Sequence, residues 1–200
     1  MYIVIEGIDG CGKSSVIAAL ALRLTQMNIT PICIHEPTYG QYGLAARKLF
    51  EGDVMPSPSE LHSLFTRDRE EHVQTKINPV LKLIQMNPKF SLLQDSGYLS
   101  APAYQVENDR DIYKVLEEQQ AIAPQPDCFF LIDIEVPLAL KRLKSRADGT
   151  SVFDRKKTLE IARKRYLMLA KNGSAPVKVL DGTLPIQGIV DRIIESVDLG

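Results

Sequence analysis

A glycine-rich stretch, residues 7–14 (GIDGCGKS), matches the pattern G-x-x-x-x-G-K-[ST], whose residue types and spacing suit the phosphates of a nucleotide. Glycines let the backbone approach an anion closely, so that consecutive N–H groups and a helix N-terminus can face it. In this pattern Lys13 can bridge the β- and γ-phosphates, and Ser14 can ligate Mg²⁺. The stretch predicts an ATP or GTP site; the alternative is a chance match in a glycine-rich turn. The predicted nucleotide-binding residues are Gly7, Ile8, Asp9, Gly10, Cys11, Gly12, Lys13, Ser14 and Ser15.

A second chemical group stands at the end of an apolar run. Residues 90–95 read FSLLQD, and the run ends on Asp95. In folds that bind nucleotides through such a loop, an acid that faces the phosphates holds Mg²⁺, directly or through water. Asp95 therefore joins Ser14 as a predicted metal ligand. The alternative is that Asp95 only caps or turns the chain before a short helix near Tyr98.

The elements that must position these groups follow from the alternation of apolar runs with helical patterns. The glycine-rich stretch lies between a β-branched run and a helical pattern, the context that its motif requires. Right-handed crossovers then favour one α/β domain over residues 1–200, a P-loop NTPase fold whose five-stranded parallel sheet has helices on both faces. Predicted strands cover 2–6, 29–35, 90–95, 128–134 and 177–181. Predicted helices cover 13–27, 44–51, 57–84 (with a kink or break at Pro79), 111–123, 137–147, 155–171 and 186–197.

Composition narrows the class of protein. The chain has 200 residues and a formal net charge of −1, which argues against a strongly basic nucleic-acid binder. The apolar N-terminus is too short for a signal peptide or a membrane span. Cys11, Cys33 and Cys128 lack metal-type spacing and are odd in number, which predicts reduced thiols in a cytoplasmic protein.

Several dispersed residues suit a second nucleotide. Phe65 and Arg69 are four residues apart on a predicted helix, so a stacking ring and a hydrogen-bonding guanidinium share one face. Gln105 can pair with a base edge as donor and as acceptor. Taken singly, these residues also fit a core phenylalanine, a solvated arginine and a polar surface glutamine.

The order of these motifs resembles the thymidylate kinase family. The matching stretches are YIVIEGIDGCGKSSV, EPTYGQYGLAARKL, LFTRDREEHV, the aspartate with LSAPAYQ, and PDCFFLIDI. They span nearly the whole chain, and their combination is specific although each piece alone is not. The resemblance implies transfer of the γ-phosphoryl group of ATP to dTMP with Mg²⁺, and it implies a homodimer. Neither a nucleic-acid partner nor a membrane partner is expected.

The resemblance also implies roles for the acceptor-side residues. Phe65 would stack on thymine, Arg69 and Gln105 would bond its edge, and Tyr104 would lie against the sugar and disfavour a 2′-hydroxyl. Three further residues would serve the acceptor phosphate and the metal. Arg47 would hold the acceptor phosphate, Asp9 would lie near the acceptor sugar or phosphate, and Glu36 would help to organise the Mg²⁺ and phosphate region.

One position departs from the family pattern. The family usually has an arginine directly after the strand-three aspartate, where it binds the acceptor phosphate, but here Ser96 and Gly97 follow Asp95. Loss of one charge-assisted contact costs about 1.5–3 kcal/mol. Three explanations stay open. Another basic side chain, such as that of Arg67, compensates; the acceptor is another deoxynucleotide or a nucleoside; or the protein binds nucleotides but catalyses weakly.

A basic segment at about 144–157 is the predicted lid. Phosphoryl transfer to a nucleotide rather than to water requires closure over both ligands. A solvated basic loop is the alternative for this segment. One branch of the family supplies a catalytic arginine from the phosphate loop and the other from the lid, and this chain has none in its loop. The predicted catalytic residues are Lys13, Asp95 and the two lid arginines Arg146 (first choice) and Arg155 (second choice).

Overall fold

The computed structural model of the protein describes residues 1–49, 57–143, 152–173 and 176–197, with the backbone alone for 152–154. Four sequence predictions therefore lie partly or wholly outside the described residues. They are Arg146, the lid residues 144–151, and the ends of the helices predicted at 44–51 and 137–147.

The five predicted strands form one sheet in the order β2-β3-β1-β4-β5, and every neighbouring pair is parallel. This confirms the predicted fold. The strands are β1 (Tyr2–Glu6), β2 (Thr30–His35), β3 (Phe90–Asp95), β4 (Cys128–Asp133) and β5 (Val177–Asp181). All five residues of β1 are buried, which explains the continuous apolar run. In the β1–β3 register Ile5 is opposite Asp95, so the loop after β1 begins beside that carboxylate.

Helices fill the intervals between the strands, close to the predicted bounds. They are α1 (Lys13–Gln26), α2 (Gln41–Leu49), α3 (Pro58–His72), α4 (Asn78–Met86), α5 (Ser100–Tyr104), α6 (Ile112–Ile122), α7 (Val136–Leu143), α8 (Val152–Asn172) and α9 (Ile186–Ser196). Helix α1 packs against α9 and β2, whereas α8 packs against α5 and α7. No helix within the described ranges is long and apolar enough to cross a membrane.

The long helical pattern at 57–84 divides into two helices. Ser57 and Glu60 form the predicted capping box at its start, because each side chain accepts from the other residue's backbone N–H. A π-helical turn, Val73–Ile77, separates α3 from α4. Pro79 lies in the first turn of α4, where its missing N–H is least costly. Helix α3 therefore keeps Phe65 and Arg69 on one continuous surface.

Candidate active site

The glycine-rich loop has the backbone conformation that a phosphate site needs. Gly10 and Gly12 have φ values of 84° and 109°, a region that other residues rarely adopt. A Cβ on Gly10 would also lie 2.6 Å from the carbonyl oxygen of Ala139 on α7, so this position has no room for a side chain. The loop ends at Gly12, the N-cap of α1, so the free N–H groups of the first helical turn border the cradle.

Lys13 lies inside this loop. Its Nζ donates to the carbonyl oxygen of Gly7 at 2.9 Å. Burial lowers the pKa of Lys13, but the acidic groups of Cys11, Asp9 and Asp95 outweigh burial, and the net shift is upward. The ammonium group is therefore charged at neutral pH and is available to a phosphate chain.

Ser14 and Asp95 meet beside the cradle. The Ser14 hydroxyl donates to Asp95 Oδ2 at 2.5 Å, across 81 residues of sequence. A hydroxyl and a carboxylate are hard oxygen ligands of the kind that Mg²⁺ prefers, and Mg²⁺ takes its other ligands from water and phosphates. Among the described residues no group of three or more His, Cys, Asp or Glu side chains could hold a metal alone. The Ser14 and Asp95 oxygens are donors that fit a nucleotide-bound Mg²⁺.

A cavity of about 1160 Å³ extends from the cradle to the loop after β5. Arg142 lines this cavity and connects two of its sides, because its guanidinium donates to the carbonyl oxygens of Cys11 (2.9 Å) and Gly182 (3.2 Å). Sequence reasoning missed Arg142, since it is one of several basic residues in an ordinary helical pattern. Further lining residues are Leu143, Arg155, Leu184, Ile186 and Ile189. This cavity is large enough for a nucleoside triphosphate.

A second cavity, of about 370 Å³, joins the first at the glycine-rich loop. It brings the predicted acceptor residues together around one space. They are Asp9, Glu36, Arg47, Phe65, Arg69, Tyr104 and Gln105, and Lys13 and Ser96 line the same cavity. We call the larger space the donor cavity and the smaller one the acceptor cavity.

A buried charge network forms one wall of the acceptor cavity. Arg69 is 2% exposed, and its Nε and Nη2 contact Glu36 Oε2 at 2.8 and 2.7 Å. Arg69 also donates to the carbonyl oxygen of Gly97 at 3.1 Å and to the side chain of Gln119. His72 Nδ1 lies 3.1 Å from Glu36 Oε1. Burial raises the pKa of Glu36, but Arg69 and His72 reverse this, and the net pKa is lowered.

Two buried polar atoms that border the acceptor cavity have no hydrogen-bond partner in the described part of the chain. They are Oε1 of Gln105 and Nε of Arg47. Such atoms are rare in folded proteins, because each costs free energy unless a ligand or water pairs with it. One is an acceptor and the other is a cationic donor. The cavity thus offers partners for an N–H group and for an anion.

Family comparison decides which reaction this pair of cavities serves. The family model for thymidylate kinase matches residues 5–193. The chain belongs to the thymidylate kinase family. A probable thymidylate kinase from Archaeoglobus fulgidus is 31% identical over 199 residues, 98% of this chain and 95% of that protein. A thymidylate kinase from Coprothermobacter proteolyticus is 32% identical over 200 residues, the full length of both. One from Desulfotalea psychrophila is 35% identical over 159 residues, 79% and 76% of the two chains.

Thymidylate kinases are ATP:dTMP phosphotransferases, so the departure at Ser96 concerns the acceptor phosphate. Ser96 has a φ of 62°, and its hydroxyl lies 3.4 Å from Asp95 Oδ1. Arg67, which the sequence suggested as a substitute base, lies 5.8 Å from the ring centre of Tyr42 and is not among the residues that line the acceptor cavity. Arg47 lines both cavities, with its guanidinium 4.9 Å from the Tyr39 ring and bonded to the carbonyl oxygen of Pro37 at 2.6 Å.

Two supporting carboxylates of this kinase site escaped sequence reasoning. Asp68 is 2% exposed and accepts from the N–H (2.8 Å) and hydroxyl (2.5 Å) of Thr38, which fixes the loop after Glu36. The sequence offered one indication of this role, since Asp68 directly precedes Arg69 on α3. Glu6 is fully buried and accepts from the Gly97 N–H and the Tyr166 hydroxyl, both at 2.9 Å. Burial raises the pKa of Glu6 to about 7.

Proposed function

We propose that this protein transfers the γ-phosphoryl group of ATP to dTMP at the junction of the donor and acceptor cavities. The observation that carries the proposal is the shared position of Lys13, which lines both cavities. A lysine between two nucleotide-sized spaces can neutralise charge on the phosphoryl group as it moves from one nucleotide to the other. In phosphoryl transfer the protein contributes such positioning and charge stabilisation and forms no covalent bond to the substrate.

ATP would occupy the donor cavity with its phosphates on the glycine-rich loop. The loop N–H groups and the start of α1 bind the phosphate oxygens. Arg142 links the glycine-rich loop to Gly182 through its two hydrogen bonds, and it lines the part of the donor cavity where the adenine base would lie. Arg155 lines this cavity too and is the described lid arginine that we assign to transition-state charge.

Mg²⁺ would be held by Ser14 and Asp95, together with phosphate oxygens and water. Their side chains already contact each other, which places both oxygens on one side of the cradle. When bound, the ion would neutralise phosphate charge. Independently of the metal, Asp95 orients the Ser14 hydroxyl, and Lys13 keeps its proton.

The acceptor cavity suits thymine as the base. Phe65 supplies an aromatic face, and the unpaired Oε1 of Gln105 can accept the N3–H of thymine. Arg69 lies on the same wall and can donate to a ring carbonyl. Tyr104, whose hydroxyl accepts the N–H of Asp9 at 3.1 Å, borders the place of the sugar.

The acceptor phosphate would point towards Lys13 and Arg47. The unpaired Nε of Arg47 suits an anion, and Arg47 lies where the two cavities meet. A guanidinium stacked on Tyr39 is already ordered, so less entropy is lost when it binds phosphate. This arrangement supplies one of the two cationic contacts that the family pattern would place here.

The family relationship also leads us to propose a homodimer that works in the cytoplasm. The free thiols of Cys11, Cys33 and Cys128 suit a reducing compartment. Light scattering on the purified protein tests the dimer, because the expected mass is twice 22.3 kDa.

A coupled assay of ADP formation tests the proposed reaction. We expect turnover with ATP, Mg²⁺ and dTMP. We expect at least tenfold lower kcat/KM with dCMP, which has no N3–H to donate, and with dUMP, which lacks one methyl group. A similar or larger drop is expected with dGMP, whose base is larger, and with thymidine, which has no phosphate for Arg47 and Lys13. A higher kcat/KM with another acceptor would move the assignment to that nucleotide. ATP binding without transfer to any acceptor in the panel would overturn the kinase assignment.

A further inference from the structure

Arg165 of α8 is buried, yet it belongs to neither cavity. It is 5% exposed, and its Nη1 donates to the carbonyl oxygens of Ala103 (3.2 Å) and Val106 (3.0 Å). Its Nε donates to Asp109 Oδ1 at 3.0 Å. Burial of an arginine is costly unless its donors are paired. Three separate acceptors within seven consecutive residues therefore mark a specific contact rather than a solvated charge.

These acceptors all follow or end the short helix α5. The last carbonyls of a helix have no partner within it, and a cation there also interacts favourably with the helix dipole. Arg165 satisfies the carbonyl of Ala103 and holds the chain beyond it as far as Asp109. The segment so clamped includes Tyr104 and Gln105, two residues that line the acceptor cavity.

A five-residue helix has little stability of its own. The orientation of Gln105 therefore depends on tertiary contacts around α5. Helix α8 provides two of these contacts. One is the set of Arg165 hydrogen bonds, and the other is the Tyr166 ring, whose centre lies 6.1 Å from that of Tyr104. The unpaired Oε1 of Gln105 can reject a base that lacks an N–H at that point only if the side chain is held in place.

We propose that Arg165 is a positioning residue for acceptor selection, which holds Gln105 so that thymine is accepted and cytosine is rejected. The inference rests on the proposed function, because it assigns Gln105 to the base edge. Arg165 acts through α5 and does not touch either nucleotide. It adds a determinant of base specificity on α8, whose first residues belong to the predicted lid segment.

The test compares Arg165→Ala with a matched control, Lys164→Ala. Lys164 binds the same aspartate at 2.7 Å, but its side chain is 68% exposed, and its loss leaves every Arg165 contact in place. For Arg165→Ala we expect the KM for dTMP to rise about tenfold and the kcat/KM ratio of dTMP to dCMP to fall about tenfold, since one oriented hydrogen bond is lost. The KM for ATP should change less than about twofold, and Lys164→Ala should resemble the wild type in all these constants.

The ratio of the two acceptors separates positioning from general loss of structure. A merely destabilised protein would lose activity with both acceptors alike and leave their ratio unchanged, which would overturn the inference. If Arg165→Ala does not fold, Arg165→Lys serves instead, because it keeps the charge and can reach one carbonyl. We then expect an intermediate ratio, and a wild-type ratio would contradict the proposal. A wild-type protein that does not phosphorylate dTMP would fail the proposed function itself, not the Arg165 step.

Discussion

The phosphate end of the donor cavity is one continuous stretch, residues 9–15, whereas the acceptor cavity is lined mainly by side chains from α2, α3, α5 and α8. In the proposed function the loop would bind phosphate through backbone N–H groups, which any sequence with the right glycines can present. The acceptor wall instead depends on charges buried against one another, such as Glu36 with Arg69. The phosphate loop is therefore specified locally, and the acceptor wall only by the assembled fold.

This difference predicts whether a substitution in each cavity lowers catalysis alone or lowers the stability of the fold as well. Loss of a donor-side group should reduce catalysis while the fold survives, because the loop backbone remains. Loss of an acceptor-side charge should damage the fold and the pocket together, because its partner stays buried and unpaired.

The largest effect is expected for Arg69→Gln. It removes the main partner of Glu36, whose side chain is 5% exposed, so the free energy of unfolding should fall by about 3–5 kcal/mol. The KM for dTMP should rise as well. Urea denaturation measures the first quantity, and Arg67→Gln, an exposed arginine on the same helix, is the control. The double variant Glu36→Gln/Arg69→Gln should recover part of the loss, and a double variant as unstable as the sum would argue against the pairing.

Lys13→Ala should affect rate instead of stability. We expect kcat to fall about a hundredfold to a thousandfold, the usual effect of removing one group that stabilises transition-state charge. The urea midpoint should stay close to that of the wild type. Lys141→Ala removes an exposed lysine of α7 and should leave kcat unchanged. A Lys13→Ala protein within tenfold of wild-type kcat would remove Lys13 from the catalytic role.

The same contrast explains what could be predicted from the sequence. The three inner strands were predictable because buried parallel strands are continuously apolar, as β1 and β4 are. The phosphate loop was predictable because its chemistry lies in eight consecutive residues. The π-helical turn Val73–Ile77 was not, since nothing in its residues distinguishes it from the helix on either side.

The residues that line the acceptor cavity were predictable only where family resemblance gave an order to dispersed residues. Phe65 and Gln105 were assigned this way, and both line the cavity. The link between Arg69 and Glu36 spans 33 residues and has no local pattern. Arg142 and Glu6 were missed for the same physical reason: their partners are carbonyl, amide and hydroxyl groups that only the folded chain brings near.

Ser96→Arg tests the missing acceptor-side cation. We expect kcat/KM for dTMP to rise about tenfold, the lower end of what a charged hydrogen bond contributes. The φ of 62° at this position is equally unfavourable for serine and arginine, so the exchange adds little backbone strain. Ser96→Gln is the matched control, because it adds length without charge and should give no gain. Equal kcat/KM for both variants would show that Arg47 and Lys13 already suffice.

The smallest effect concerns Glu6, which lies at the base of the donor loop but bonds to Gly97 and Tyr166 on the acceptor side. Burial raises its pKa from 4.5 to about 7, so the folded protein retains a proton that the unfolded chain releases. The stability from this proton is complete below pH 4.5 and is lost as the pH rises through about 7, by roughly 1–3 kcal/mol. Glu6→Gln can still accept from the Gly97 N–H through its amide oxygen and has no proton to lose. The stability of the variant relative to wild type should therefore increase between pH 5 and pH 8 in urea denaturation, and a constant difference would mean that Glu6 ionises normally.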